Sequence, residues 1–82
     1  MKIACIPTFN EESSIADMVK KSIPYVDKVI VCDDGSTDNT AKRAKESGAI
    51  VITHEKNQGY GAAIATLFDY ARKQNAQIMI TI

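Results

Sequence analysis

The sequence predicts an α/β fold built on a parallel sheet. Short apolar runs of strand length alternate with segments whose apolar residues recur at helical spacing, and a fourth strand-like run follows the third helix. The apolar runs are β-branched and almost uncharged, which is typical of strands buried on both faces of a parallel sheet. With right-handed crossovers we expect four strands in the order 3-2-1-4 and three helices.

The predicted elements follow one another regularly along the chain. The strands are expected at residues 3–6, 29–32, 50–53 and 78–82. The helices are expected at residues 13–22, from near Asp38 or Thr40 to a C-terminal cap at Gly48, and at residues 62–73. Pro7 is expected to end the first strand and Pro24 to close the first helix, and a polar loop at residues 54–61 precedes the third helix.

Length and charge limit the classes of function. A chain of 82 residues forms one domain at most, and its ten basic residues balance its ten acidic ones. Without a net charge or a basic stripe, nucleic acid is not an expected partner. No apolar run approaches the length of a transmembrane helix and no secretory signal is present, so we expect a soluble, cytoplasmic chain.

The two cysteines, Cys5 and Cys32, both lie in apolar strand segments. Neither belongs to a CxxC or a His/Cys metal-binding spacing, so buried free thiols are expected. A disulfide is the alternative, although nothing else in the sequence indicates an oxidising compartment.

The loop after the first strand carries a candidate ligand contact. Phe9 offers a flat face for a nucleotide base, and Glu11 or Glu12 can accept hydrogen bonds from ribose hydroxyls. The alternative is a plain helix N-terminus, with Asn10 as its cap and the glutamates complementing the helix dipole.

The loop after the second strand contains adjacent carboxylates, Asp33 and Asp34, followed by Gly35. One aspartate can orient the loop while the other accepts from a ligand N–H, such as the imide of uracil or the amide edge of guanine. A solvated turn is the alternative. A metal site made from these two residues alone is not expected, because adjacent side chains on an extended segment point in opposite directions.

The third loop is the least specific of the three. Gly59 and Gly61 can bring backbone N–H groups close to a ligand, but Ile64 stands where a dinucleotide-binding fingerprint requires Gly or Ala. His54 has no partner within its own segment and is predicted to be an ordinary loop histidine.

Taken together, three motifs resemble the start of a family 2 glycosyltransferase. They are IPTFNEE at residues 6–12, VCDDGSTDNT at residues 31–40 and NQGYGAA at residues 57–63, and they span most of the chain. The third motif looks most like the branch that contains dolichol-phosphate mannosyltransferases and other polyprenyl-phosphate sugar transferases. The resemblance implies a Rossmann-like, truncated GT-A domain, with residues 1–82 as its N-terminal nucleotide-binding part.

The same resemblance implies roles for individual residues. The nucleotide-binding positions would be Pro7, Phe9, Glu11, Cys32 and Asp34. The loop-shaping positions would be Asp33, Gly35, Gly59 and Gly61. Phe9 stands where many relatives have Tyr, which keeps the stacking face and loses a hydroxyl.

The implied reaction is inverting transfer of a sugar from a UDP- or GDP-sugar to an acceptor, for which a polyprenyl phosphate is one candidate, in cell-wall or glycolipid biosynthesis. The parent protein would be an enzyme that uses Mg²⁺ or Mn²⁺ and works in the cytoplasm, at the surface of the cytoplasmic membrane if the acceptor is a lipid. The DxD-type metal motif and the general base would lie beyond residue 82, so no catalytic residue, metal or activity is expected in this chain alone. The alternatives are a non-catalytic nucleotide-binding module and a structural α/β fragment.

The end of the sequence carries one more expectation. Residues 78–82 would be an interior strand of a complete domain, and the apolar edge left by truncation would favour self-association through this strand.

Overall fold

The computed structural model describes residues 1–80 and gives side-chain surroundings for residues 1–77. The strands are β1 (Lys2–Thr8), β2 (Lys28–Asp33), β3 (Ile50–Thr53) and β4 (Gln77–Ile80). The helices are α1 (Ile15–Ser22), α2 (Thr40–Glu46) and α3 (Tyr60–Lys73), and a 3-10 turn at Ile23–Tyr25 follows α1. The predicted α/β class is confirmed.

All the described strand pairs are parallel, and the sheet has the predicted order, β3-β2-β1-β4. β1 is an interior strand: Cys5 lies opposite Ile30 of β2 and Ile80 of β4. Because the strands are parallel, the carboxyl ends of β1, β2 and β3 lie at one edge of the sheet, where open α/β sheets bind their ligands.

The sheet is covered on both faces. Alternate strand residues pack against α1 and α2 on one face, where the core consists of Ala4, Ile6, Ile15, Val19, Val29, Val31, Ala44 and Ala49. The other strand residues pack against α3, where the core consists of Ile3, Cys5, Ile30, Cys32, Ala63, Leu67 and Ala71. Apolar residues therefore occupy both faces of β1 and β2, which explains why these strands lack a polar alternation.

Pro7 does not end β1, contrary to the prediction. It lies inside the strand opposite Cys32, and β1 continues to Thr8. Carbonyls alternate sides along β1: Thr8 O accepts from Asp34 on the β2 side, whereas Met1 O accepts from Gln77 on the β4 side. Pro7 therefore turns its missing N–H toward the β4 side, where the described pairing reaches only as far as Cys5.

The helix ends also differ from the prediction. α1 begins at Ile15 with Ser14 as its N-cap residue, and Pro24 lies inside the 3-10 turn that continues the helix. Gly48 follows α2 with a φ of 106°, the left-handed conformation expected of a C-terminal cap.

α3 begins at Tyr60, earlier than predicted, so Gly61 lies in its first turn instead of in the loop. β4 begins at Gln77, one residue before its predicted start. Thr81 and Ile82, the end of the predicted fourth strand, lie outside the described residues. The side-chain contacts of residues 78–80 are likewise not described, so self-association through this strand stays a prediction.

Gly35 permits a close approach between two loops. Its φ is 78°, and a Cβ built on it would lie 2.5 Å from Asn57 N and 2.7 Å from the carbonyl carbon of Lys56. Both atoms belong to backbone, so the neighbouring loop could not give way by a simple side-chain rotation. The β2–α2 loop and the β3–α3 loop can touch only because residue 35 has no side chain.

We predict opposite effects of alanine at two glycines. Gly35→Ala should lower the free energy of unfolding by about 2 kcal/mol or more, because the substitution combines a positive φ with backbone overlap. Gly61→Ala is the matched control: a Cβ there meets nothing within 4 Å, and a helical Ala should stabilise the chain by about 0.5–1 kcal/mol. Urea unfolding of both variants measures the difference, and equal stabilities would contradict the described loop contact.

Candidate functional site

A cleft of about 220 Å³ opens at the carboxyl ends of β1 and β2, on the α3 face of the sheet. It is lined by Pro7, Thr8, Phe9, Asp34, Asn57, Gly59, Tyr60 and Ala63. Small-molecule pockets commonly measure about 300–1,000 Å³, so this cleft has room for part of a ligand the size of a nucleotide.

Asp34 is the most heavily hydrogen-bonded side chain of the cleft and is 4% exposed. Its Oδ1 accepts from the backbone N–H of Gln58 at 2.9 Å, and its Oδ2 accepts from the N–H of Gly59 at 2.9 Å. Burial alone would raise the pKa of Asp34, but the hydrogen bonds from Gln58, His54 and Gly59 outweigh it and hold the pKa below its ordinary value. Asp34 is therefore an ionised carboxylate that ties β2 to the β3–α3 loop.

His54 is not an ordinary loop histidine, and that prediction was wrong. Its Nδ1 lies 2.8 Å from Asp34 Oδ1 and its Nε2 lies 2.9 Å from Thr66 Oγ1. Both partners are distant in sequence, because His54 follows β3 while Asp34 follows β2 and Thr66 lies in α3. The residues next to His54 in the sequence therefore carry no signal of these contacts.

Cys32 lies beneath the cleft and does not line it. Its side chain is fully buried, and Sγ is 3.7 Å from His54 Nε2. Burial, together with the charges of Asp34 and Asp33, raises the pKa of the Cys32 thiol to about 11. Cys32 and Cys5 are both buried free thiols, as predicted.

Asp33 faces away from Asp34, toward the opposite side of the sheet. Its Oδ1 accepts from the N–H of Ser36 at 3.1 Å and also from the Ser36 hydroxyl. These bonds close the turn around Gly35. The adjacent aspartates thus have separate roles: Asp33 stabilises its own turn, and Asp34 links β2 to the β3–α3 loop.

The first two loops hold each other through reciprocal hydrogen bonds. Asn10 N–H donates to Ser36 Oγ at 2.8 Å, and Asn10 Oδ1 accepts from Thr37 N–H at 2.9 Å. Asn10 has a φ of 52° and does not cap α1. Two residues further along the same loop, Glu12 Oε2 accepts from Asn39 N–H at 2.8 Å. These bonds fix the loop that carries Phe9 relative to the loop that carries Asp34.

Glu11 does not line the cleft in this structure. Its backbone N–H donates to Thr40 Oγ1 at 2.9 Å, while its carboxylate accepts from the Ser14 hydroxyl at 3.0 Å. The Glu11 side chain is exposed.

Two aromatic side chains line the cleft while remaining exposed. Phe9 is 45% exposed and Tyr60 is 57% exposed. Phe9 was predicted from the sequence as a ligand contact, whereas Tyr60 and Asn57, which line the same cleft, were not. Phe9 could be predicted because it follows the end of a strand. Tyr60 reaches the cleft because it is the first residue of α3.

The chemistry of the lining favours a flat, largely uncharged group that carries an N–H donor. Among the side chains that the structure describes, Asp34 is the one charged group in the lining, and the other lining residues are apolar, aromatic, amide or, at Thr8, hydroxyl-bearing. An anionic group beside Asp34 would be repelled. A nucleotide base supplies both a π-face for Phe9 and a donor for Asp34.

The aspartates do not fit a divalent cation. Asp33 and Asp34 point to opposite faces, and their oxygens already accept the N–H groups described above. Among the side chains described, no three His, Cys, Asp or Glu residues gather as metal ligands.

Comparison with known proteins identifies the family. Residues 3–82 match the model of Glycosyl transferase family 2. The UDP-N-acetylglucosamine–dolichyl-phosphate N-acetylglucosaminyltransferase of Methanococcus voltae is 34% identical over 94 residues, which cover 93% of this chain and 38% of the relative. The undecaprenyl-phosphate 4-deoxy-4-formamido-L-arabinose transferase of Pseudomonas fluorescens is 33% identical, covering 94% of this chain and 25% of the relative.

A solved structure has the same fold at similar identity. Glucosyl-3-phosphoglycerate synthase from Mycobacterium tuberculosis, in complex with Mn²⁺, UDP-glucose and glycerol 3-phosphate, aligns with a TM-score of 0.70 and 35% identity. The alignment covers 78% of this chain and 27% of that one. The chain therefore spans between a quarter and two fifths of the length of these relatives. By the family match over residues 3–82, the chain belongs to glycosyltransferase family 2.

Proposed function

We propose that this chain is the N-terminal nucleotide-binding part of a GT-A glycosyltransferase domain and that it binds the nucleotide of a nucleoside diphosphate sugar. The observation that carries the proposal is the cleft, where an exposed aromatic ring and a single buried carboxylate stand at adjacent strand ends. Phe9 and Asp34 line the same cleft, so a single ligand could contact an aromatic face and a carboxylate at once.

The base is assigned to Phe9 and Asp34. The Phe9 ring would stack on the base, and Asp34 Oδ2, which accepts one internal N–H, has capacity for a second donor. The N3–H group of uracil and the N1–H group of guanine both suit this acceptor. We favour UDP, because the names of the Methanococcus and Mycobacterium relatives specify UDP-linked compounds.

The remaining nucleotide contacts are assigned by position. Pro7 supplies part of the cleft wall, and Cys32 supports the floor beneath it. The Glu11 carboxylate would exchange its bond with Ser14 for ribose hydroxyls.

The whole reaction is proposed as inverting transfer of the sugar to an acceptor. The relatives' names favour a polyprenyl phosphate, which would place the complete enzyme at the cytoplasmic membrane surface, in cell-wall or glycolipid biosynthesis. Within residues 1–80, no helix is long and apolar enough to cross a membrane. Mg²⁺ or Mn²⁺ is proposed for the complete enzyme, but Asp33 and Asp34 do not fit it, and we assign no catalytic residue in this chain.

We predict that UDP titration shifts the backbone amide signals of Phe9, Asp34 and Gly59, which surround the cleft. Two-dimensional NMR at millimolar nucleotide measures this, because a part-site without the remaining phosphate contacts should bind weakly. Another cavity, lined by Val26 and Gly48 among others, lies at the opposite end of the sheet. The amide signals of its lining residues are the internal control and should not shift. Shifts confined to residues 54–61, with none at Phe9 or Asp34, would contradict the assignment.

We predict that Phe9→Ala weakens UDP binding about tenfold, since base stacking on an aromatic ring contributes about 1–3 kcal/mol. Stability should change by less than about 1 kcal/mol, because Phe9 is already 45% exposed. Tyr25→Ala is the matched control: it removes a 72% exposed aromatic ring that does not line the cleft. Equal affinities of Phe9→Ala and Tyr25→Ala for UDP would refute the stacking role.

A further inference from the structure

We propose that His54 is a positioning residue for base recognition: its Nδ1–H occupies Asp34 Oδ1 and thereby leaves Oδ2 as the acceptor that reads the ligand's N–H. The inference rests on the proposed function, since it assumes that Asp34 meets the base. It concerns a residue outside the cleft lining, which acts only through Asp34.

The partners of the imidazole ring fix the position of its proton. An ionised carboxylate can only accept, so Nδ1, 2.8 Å from Asp34 Oδ1, carries the hydrogen. In the neutral ring Nε2 is then an acceptor, and the Thr66 hydroxyl at 2.9 Å can donate to it. The Cys32 thiol, 3.7 Å from Nε2, stays protonated because its pKa is raised, so it is a second possible donor to Nε2 and not a competing anionic acceptor.

The count of acceptor positions explains why this bond matters for a ligand. A carboxylate offers about four lone-pair positions, two on each oxygen. At Asp34, Gln58 N–H and His54 Nδ1–H both approach Oδ1, while Gly59 N–H takes one position on Oδ2. One position therefore remains, on Oδ2. Without the histidine, Oδ1 would also be open, and water or a wrongly placed donor could use it.

The surroundings hold the ring in this orientation. The His54 side chain is 10% exposed and lies between Asp34 and α3. Thr66 is on the second turn of that helix, so the ring bridges the β2 end to α3 across the end of β3. The position of the carboxylate is thus set from two sides, by the loop amides and by the imidazole.

Two substitutions that introduce amide side chains distinguish the roles of the two ring nitrogens. In His54→Asn the amide nitrogen is attached to Cγ, as Nδ1 is, so it keeps a donor for Asp34 and loses the contact with Thr66. In His54→Gln the amide nitrogen lies one bond further out, as Nε2 does, so it keeps the Thr66 contact and loses the donor. The pair is matched in chemistry and differs only in reach.

The readout is the ratio of dissociation constants for N3-methyl-UDP and UDP, measured by NMR titration of the full chain. The wild type should prefer UDP by about tenfold or more, since a site built to accept an N–H rejects the analogue that lacks it. His54→Asn should keep most of this preference, whereas His54→Gln and His54→Ala should reduce it to about threefold or less. NMR of the ring nitrogens should show the proton on Nδ1.

A merely structural histidine would give a different pattern. It would lower the melting temperature and weaken both nucleotides equally, so that the ratio would be the same in His54→Gln as in the wild type, and this result overturns the proposal. A proton found on Nε2 alone would overturn it as well. Asp34→Ala separates the two claims: unchanged UDP affinity refutes the proposed function, whereas lost affinity with an unchanged ratio in His54→Gln refutes only the role of His54.

Discussion

The site depends on one buried carboxylate. Asp34 follows β2, yet its two oxygens accept the N–H groups of Gln58 and Gly59 in the loop between β3 and α3. Charge-assisted bonds of this kind are about twice as strong as bonds between neutral groups, and a buried carboxylate that lost them would be costly. The start of α3, and with it the rear wall of the cleft, is therefore placed by a side chain from another part of the chain.

The front wall is placed by a second set of bonds that does not involve Asp34. Asn10 exchanges hydrogen bonds with Ser36 and Thr37, so the loop after β1 moves with the loop after β2. Gly35 lies in the loop that takes part in both sets of bonds. A Cβ at this position would overlap the backbone of Lys56 and Asn57, so glycine allows the loops to pack this closely. Phe9 and Asp34 in their loops and Tyr60 at the start of α3 are thus held as one rim, which is the preorganisation that ligand recognition requires.

The fold was largely predictable from the sequence because it rests on local patterns. The apolar runs of β1 and β2 and the glycine after α2 each carry their own signal, and chirality restricts the order of parallel strands.

The predictions were wrong where contacts between distant segments determine the local structure. Pro7 remains in β1 because its missing donor faces away from β2, so the β1–β2 pairing continues through it, and α3 begins at Tyr60, where the Asp34 bonds fix the preceding loop. In the site, strand-end position identified Phe9 and Asp34, but no local signal could connect His54 to Asp34 or Thr66, since those contacts exist only once three elements have packed.

The most direct test of the account is amide hydrogen exchange at Gln58 and Gly59 in the wild type and in Asp34→Asn. The variant retains the size of the side chain but replaces one acceptor oxygen with a donor that faces an N–H group. We expect both amides to be protected in the wild type and to exchange at least about tenfold faster in the variant, since a hydrogen bond to a charged group contributes about 1.5–3 kcal/mol. Unprotected amides in the wild type, or equal exchange rates in the two proteins, would show that Asp34 does not hold the β3–α3 loop and would contradict the account.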